Sequence, residues 1–305
     1  MDKNPTPPAV TPDTQVTSQP DKEEPEEEEE DDYEEPEEEV TEGVVGTVDL
    51  YGKEVPLFIS DGLSYAVTGS DEAVVIYTLL TDDTYEVYNI PETINVEGSA
   101  RRVVAIDADA FNGFAALGSI TIPGTVKKID DSAFDGCDAL EEIVISEGVE
   151  ELGEGVFNAC SALKSVTLPS TIKQLGEGTF FDCSALETVV LPENLSVIPS
   201  DTFSNCESLT DIVIPASVTA IGDEAFWNCS LLAALSLPEG LESIGNRCFY
   251  GCENLAELSF PSTLSSVGET VFEYCDSLVT LLVPAGTKDK YATKFSEYEL
   301  TIIEY

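Results

Sequence analysis

Eight cysteines are the residues of this 305-residue chain that most readily suggest chemistry, since thiols form disulfides, bind metals and act as nucleophiles. Seven of them recur every 23 residues, namely Cys137, Cys160, Cys183, Cys206, Cys229, Cys252 and Cys275, and Cys248 stands outside this series. Metal ligands must converge on one point, whereas a fixed interval of this length spreads them along an axis. Cysteine is also a small, frequently buried residue. The spacing therefore predicts a row of buried free thiols, with disulfides or a metal site as the alternatives.

Paired carboxylates are the second candidate chemistry, because glycosidases use two of them. Glu142, Asp211 and Glu257 stand at equivalent positions of a repeat, and the nearest two are about 9–10 Å apart by strand spacing. No aromatic or basic clamp accompanies them, and 60 Asp and Glu residues make such coincidences common. The chain has no histidine, which excludes Ser-His-Asp and Cys-His catalysis and His-ligated zinc or iron. We predict no catalytic residue, no metal site and no cofactor.

A formal net charge of −47 limits the partners of the chain. Nucleic-acid binding needs a basic surface, and the densest basic clusters are the pairs Arg101/Arg102 and Lys127/Lys128. Binding to an anionic membrane surface is disfavoured for the same reason. No run of about 18 apolar residues is present, so no transmembrane segment is predicted. We expect a signal or lipid-anchor segment to be absent from this chain.

Residues 1–43 are an acidic leader with 18 Asp and Glu, two Lys and several prolines. They have almost nothing apolar to bury and their like charges repel, so a disordered Pro-containing linker is predicted. A weak calcium-attracting or partner-binding tail is the alternative, because carboxylates are ligands of Ca²⁺. A Glu run lacks the fixed loop and glycine turn of a specific calcium site, which favours the linker.

Residues 44–102 form a β-rich region in which runs such as VGTVDLYGKEVPLFI and AVVIYTLL are separated by the turn-forming sequences SDG, GSDE and TDD. This pattern predicts antiparallel hairpins that cap whatever follows them.

Phenylalanine then recurs every 23 residues without an insertion, at Phe111, Phe134, Phe157, Phe180, Phe203, Phe226, Phe249 and Phe272. The seven regularly spaced cysteines stand three residues after a Phe, and a Leu stands six residues after all eight. One unit cannot bury these side chains alone, but stacked units can, since each side chain then lies on its counterpart. Residues 103–284 are therefore predicted to be a β-dominated α/β-type solenoid of eight 23-residue coils, joined by short helical or 3₁₀ turns.

Units such as LTDIVIPASVTAIGDEAFWNC (Leu209–Cys229) resemble the BspA-like leucine-rich-repeat family, whose signature I-P-x-x-V-x-x-I-G-x-x-A-F-x-x-C they carry. The unit LEEIVISEGVEELGEGVFNAC (Leu140–Cys160) is similar, with Ser146 in place of the proline. The resemblance covers about Val103 to Pro284 and implies a leucine-rich-repeat solenoid with a parallel β-sheet. It also implies a secreted or surface-attached bacterial or protist protein of the kind implicated in adhesion and in binding host or neighbouring-cell proteins.

The first coil of the array is expected to be incomplete. One period before the first full unit, Val103 and Ile106 keep an apolar pair, but Glu97 and Ser99 occupy the strand positions. The array is therefore predicted to begin half-way through a coil, covered by the hairpins.

The last coil is expected to be atypical. Thr287 and Lys290 replace an apolar pair there. Residues 285–305 are predicted to form a C-terminal cap in which Ile302 and Ile303 close the core.

The outward strand positions, eight and ten residues after each repeated Phe, are the candidates for recognition. In the central coils they are Glu142, Val144, Ser165, Thr167, Thr188, Val190, Asp211 and Val213, which we call the strand face. Short hydroxyl-bearing side chains with valines between them suit a broad protein contact, and an ordinary solvated sheet is the alternative. Trp227, the only tryptophan, is predicted to point outward on the turn side, as an isolated surface aromatic or an interface anchor.

These features predict a non-enzymatic, monomeric module of the adhesion type, located outside the cell or on its surface. Its partner would be a protein, such as a host matrix or neighbouring-cell surface protein, and not a nucleic acid. A structural surface spacer without a specific ligand is the alternative, followed by a carbohydrate-active enzyme on a β-solenoid.

Overall fold

A computed structural model describes residues 43–78 and 87–305 of the chain. The chain divides into two units, Met1–Glu39 and Val40–Tyr305, and the described residues belong to the second. Apart from Gly43, the predicted acidic linker and its calcium-binding alternative lie outside the described residues.

Seven strands form the N-terminal region. They are β1 (Gly43–Leu50), β2 (Lys53–Ser60), β3 (Leu63–Val67), β4 (Glu72–Thr78), β5 (Val87–Asn89), β6 (Thr93–Val96) and β7 (Ser99–Ile106). Strands β1 to β4 pair antiparallel in succession, as do β6 and β7, whereas β4 and β7 pair parallel. The β1–β2 turn places Tyr51 and Gly52 at positive φ, the conformation that tight two-residue hairpins require. The predicted antiparallel hairpins are therefore present.

The parallel strand ladder of the repeats begins one coil earlier than the sequence predicts. Strand β5 pairs parallel with the first regular strand, with Tyr88 opposite Ile120, so β5 supplies the strand positions assigned to Glu97 and Ser99. Those two residues lie instead in the β6–β7 hairpin. Tyr88 and Ile120 are separated by 32 residues, nine more than the period, because this hairpin is inserted in the coil.

Fourteen strands then follow through the repeats. They are β8 (Ser119–Ile122), β9 (Lys128–Ile129), β10 (Glu142–Ile145), β11 (Glu151–Leu152), β12 (Ser165–Thr167), β13 (Thr188–Val190), β14 (Val197–Ile198), β15 (Asp211–Ile212), β16 (Ala220–Ile221), β17 (Ala234–Ser236), β18 (Ser243–Ile244), β19 (Glu257–Ser259), β20 (Ser266–Val267) and β21 (Thr280–Val283). The longer strands pair parallel in the order β5-β8-β10-β12-β13-β15, and the short ones form a second series of parallel ladders. Within the repeats the register is one period per strand, as in Val166 opposite Val189. The predicted parallel β-solenoid is confirmed.

The core is a stack of repeated side chains. Successive Phe rings from Phe111 to Phe272 lie 4.9 to 6.2 Å apart between centroids, with interplanar angles of 3° to 24°. All eight Phe side chains and the eight cysteines are buried. Each apolar side chain is thus covered by its counterparts in the neighbouring coils, which is why no single unit could fold alone.

The side of the coil opposite the strands is made of hydrogen-bonded turns. Around Phe203, the residues Asp201 and Asn205 have positive φ, and the Cys206 N–H closes a turn on the Phe203 carbonyl at 3.1 Å. The Phe203 N–H donates to the Ala225 carbonyl of the next coil at 2.9 Å. Backbone hydrogen bonds therefore join neighbouring coils on this side as well.

The C-terminal segment consists of helix α1 (Lys288–Lys294) and strand β22 (Thr301–Glu304), which pairs parallel with β21. Ile302 is buried as predicted, but Ile303 is 45% exposed, because adjacent strand residues point to opposite faces. The expectation that Ile303 closes the core is therefore wrong. Tyr291 and Phe295 close it instead, and Phe295 lies 5.2 Å from Phe272 between ring centroids. Across the described ranges no helix has the length and hydropathy needed to cross a bilayer.

Candidate functional site

The eight strand-face residues are all exposed on one side of the solenoid. Strand alternation explains this, because the residues between them, such as Val166 and Val189, point into the core. The register aligns Thr167 with Val190 and Thr188 with Asp211 in adjacent coils. The structure therefore brings these residues together as one surface that runs across β10, β12, β13 and β15.

Two open grooves lie at the β15 end of this surface. The first groove has a volume of about 720 Å³ and is lined by residues of two coils, Val189, Val190, Leu191, Glu193, Val213, Ile214, Pro215 and Ala216. The second groove, of about 630 Å³, includes Asp211, Val213, Ala234, Ser236, Pro238 and Glu257 in its lining. Val213 lines both grooves and is 76% exposed, so it forms an apolar ridge between them.

The second groove lies at an interruption of the strand ladder. Strand β15 ends one sheet, and β17 begins another that continues to β22. Within the described residues no ladder pair joins β15 to β17, although the coils keep their 23-residue spacing. Because the period continues unbroken through this point, the sequence pattern did not predict the interruption or the groove.

Carboxylates give the strand face a negative character. Asp211, Glu193 and Glu257 line the two grooves. Lys164, which precedes Ser165, forms an ion pair with Glu141 of the preceding coil, with 2.5 Å between Nζ and Oε2. This hydrogen bond, followed by the charge of Glu141, raises the pKa of the Lys164 ammonium group. Since the residues after the leader comprise 42 acids and 11 bases, the surface favours cationic groups on a partner.

The three carboxylates considered for catalysis do not form one site. Asp211 and Glu257 both line the second groove, whereas Glu142 lies in a separate hollow of about 540 Å³. All three side chains are exposed, while the general acid of a glycosidase is usually desolvated so that it keeps its proton. The lining of the second groove includes neither an aromatic nor a basic side chain to hold a sugar.

The cysteines act as internal hydrogen-bond donors. In each of the seven regular positions, Sγ lies 2.9 to 3.2 Å from the carbonyl oxygen of the Phe in the preceding coil. Burial raises the pKa of the Cys137 and Cys275 thiols to about 12, and it raises the pKa of the others as well. Thiols in this state are poor nucleophiles and poor metal ligands. Among the described residues no group of three or more His, Cys, Asp or Glu is arranged to hold a metal ion.

Trp227 is not isolated. It is half-buried on the turn side, its ring lies 4.7 Å from that of Tyr250, and Tyr250 lies 5.0 Å from Tyr274. We call Trp227, Tyr250 and Tyr274 the aromatic row. Reading the sequence at one fixed repeat position would have found its first pair, since Tyr250 is one period after Trp227.

Residues 104–233 and 219–305 match the protein-family model described as BspA type Leucine rich repeat region, in six copies. Among solved structures, a leucine-rich repeat protein from Bacteroides ovatus has 25% identity and a TM-score of 0.53, covering 81% of this chain and 76% of that chain. A leucine-rich repeat protein from T. pallidum has 29% identity and a TM-score of 0.53, covering 80% of this chain and 97% of that chain. No curated protein sequence gives a match.

Proposed function

This chain belongs to the BspA-type leucine-rich repeat family, and from that premise we propose that it is a non-enzymatic module that binds a protein through its strand face. The solved proteins that it matches are named leucine-rich repeat proteins rather than enzymes. The carboxylates considered for catalysis are dispersed and exposed, which also supports a binding role.

The observation that carries this proposal is a row of exposed valines, of which Val190 and Val213 border the two grooves. Val144 and Val190 are each 56% exposed, and Val213 is more exposed still. Contact of such an apolar row with water is unfavourable, and covering the row with a partner lowers the free energy. The two grooves beside Val213 would each accept an apolar side chain of the partner, which would bury more apolar surface than a flat contact does.

We assign the charged residues a role in selecting the partner. The acidic strand face attracts a basic patch at long range, whereas an acidic protein or a nucleic acid is repelled. The ligand class is therefore a protein with an apolar patch bordered by Lys or Arg.

The module acts outside the cell or attached to its surface, in an adhesion-type role toward host matrix or neighbouring-cell proteins. This part of the proposal rests on the family and on the acidic leader, which would serve as a spacer between the solenoid and its anchor. The buried cysteines fit such a location, because shielded thiols with raised pKa values resist oxidation in an oxidising environment.

The experiment is a surface-plasmon-resonance panel of purified extracellular matrix proteins and intact neighbouring bacteria against the full chain. Val213→Lys places a hydrated charge on the ridge and should weaken binding at least about tenfold, by analogy with central interface positions. Val197→Lys is the matched control, since Val197 is also an exposed valine but lies on the second ladder. Equal losses in both variants would contradict the strand-face proposal. If no panel member binds, the structural spacer becomes the better description.

A further inference from the structure

A second surface, on the turn side of the solenoid, has a distinct chemistry. Trp227 and Tyr250 both stand one residue after a repeated Phe in successive coils, and Tyr274 extends the aromatic row into the next coil. Tyr274 is 57% exposed and meets Tyr250 edge to face at 68°. The fourth unit also has an aromatic residue at the position of Trp227, Phe181, but Ser204 separates it from Trp227, so Trp227 and Tyr250 are the only aromatic pair in successive units at this position.

One guanidinium is already held at the Trp227 end of the row. The Arg247 Cζ lies 5.9 Å from the centroid of the Trp227 ring. The same side chain donates from Nη1 to Oε1 of Glu224 at 2.9 Å. An aromatic face and a carboxylate together thus bind an arginine within the molecule.

The other end of the row offers the same two groups, and among the described residues no Lys or Arg side chain lies over the Tyr274 ring. Glu273 stands one period after Tyr250, and the Gly251 N–H donates to the Glu273 carbonyl at 2.8 Å, so the two coils are in register there. Glu273 also directly precedes Tyr274 in the chain. Loss of hydration, then the hydrogen bond with Tyr274, then the charges of Tyr274 and Glu273 raise the pKa of Tyr250, while the charge of Arg247 lowers it. Asp276 adds an exposed negative charge two residues after Tyr274.

We propose that Tyr250, Tyr274 and Glu273 form a second binding site, which takes the guanidinium group of an arginine on a partner protein. Aromatic faces attract cations, and the planar guanidinium stacks on them better than an ammonium group does. The surrounding carboxylates favour a cation over a neutral ligand. The site is independent of the strand face, because it lies on the turn side of the coils.

Trp227 supplies the readout, because it is the only tryptophan of the chain and lies next to Tyr250. The full chain is titrated with the peptide acetyl-GRGRG-amide, which absorbs no light where tryptophan does, and with acetyl-GKGKG-amide. The arginine peptide should give a saturable change in Trp227 fluorescence, with an affinity at least about fivefold above that of the lysine peptide. Tyr274→Ala and Glu273→Gln should each weaken the arginine peptide at least about fivefold, whereas Tyr274→Phe, which keeps the ring, should not.

Glu242→Gln is the matched control, since it removes an exposed carboxylate beside β18, outside both proposed surfaces, and changes the net charge equally. It should leave the affinity unchanged. The proposal is overturned if no saturable change is seen, or if the two peptides bind equally and Glu273→Gln behaves like Glu242→Gln. A saturable response to neutral cellohexaose without one to the arginine peptide would also overturn it and assign the aromatic row to carbohydrate. If circular dichroism shows that Tyr274→Ala is misfolded, Glu273→Gln decides.

Discussion

The thiol of Cys183 donates to the backbone carbonyl of Phe157 in the preceding coil, with 3.0 Å between Sγ and the oxygen. The same Phe157 carbonyl closes the turn of its own coil by accepting the Cys160 N–H at 3.2 Å. The cysteine therefore satisfies the second lone pair of an acceptor that is buried between two coils. This relationship explains why the repeat uses a small thiol rather than alanine at this position.

We predict that the native thiols are almost unreactive. At pH 8 the folded protein should react with fewer than two equivalents of a thiol reagent within the time that exposes all eight in denaturant without reductant. The reason is that only the thiolate is nucleophilic, and burial holds the pKa of every thiol well above 8. Recovery of fewer than seven thiols from the denatured, unreduced protein would show that disulfides are present and contradict the prediction.

The same burial predicts that stability falls at alkaline pH. In the unfolded chain a thiol has a pKa of about 8.5, whereas in the folded protein burial raises the pKa of Cys137 and of Cys275 to about 12. Below the unfolded pKa both states are protonated and the contribution is constant. Above it the unfolded state loses protons that the native state retains, so the free energy of unfolding declines as pH rises toward 12.

The measurement is urea denaturation from pH 7 to 9.5 with a reductant present. Above pH 8.5, each buried cysteine should contribute at most about 1.4 kcal/mol per pH unit to this decline in the free energy of unfolding. In Cys183→Val the slope should be smaller by one such contribution, while Val190→Ala, an exposed substitution, should keep the full slope. A slope that does not change in Cys183→Val would mean that the thiols do not cause the decline.

We predict a large loss of stability for Phe180→Ala. The Phe180 ring lies 5.5 Å from Phe157 and 5.7 Å from Phe203, so its removal leaves a cavity between two coils that cannot move together without breaking their backbone hydrogen bonds. The free energy of unfolding should fall by about 3–5 kcal/mol. Urea denaturation of this variant beside Thr167→Ala, an exposed control, tests it. A midpoint within error of the parent protein would be inconsistent with the stacked core.

The repeated features of this fold could be predicted because each is set by the same local pattern in every coil. The Phe stack and the parallel register follow from the 23-residue period, since only one alignment places like side chains on like. The start of the parallel strand ladder could not be predicted in this way. The β6–β7 hairpin lengthens the segment between Tyr88 and Ile120 by nine residues, so Tyr88 does not stand one 23-residue period before Ile120.

The site was less predictable than the fold. The strand face was identified as a set of outward positions, but its second groove lies where the ladder between β15 and β17 is missing, which no repeated position encodes. The aromatic row had a readable signal in the spacing of Trp227 and Tyr250, whereas the placement of Tyr274 at a different repeat position becomes clear only in three dimensions.

The last prediction separates attraction from contact on the strand face. Val190 is opposite Thr167 of the preceding coil and borders the first groove, so Val190→Lys places a hydrated ammonium in the middle of the apolar row. Folding should be almost unchanged, because the side chain points away from the core and is 56% exposed.

For a basic protein ligand, the association rate of the parent chain should fall as salt rises, since exposed charges are screened beyond about 8 Å at physiological ionic strength. Val190→Lys should weaken capture at both low and high salt, mainly through faster dissociation, because the lost contact is apolar and does not depend on screening.

Association and dissociation rates measured at 50 and 500 mM NaCl, with Val197→Lys as the control for the added charge, separate the two effects. A defect that disappears at high salt would mean that the introduced charge, and not the lost apolar contact, weakens binding. Unchanged binding in a folded Val190→Lys protein would instead place recognition away from the strand face.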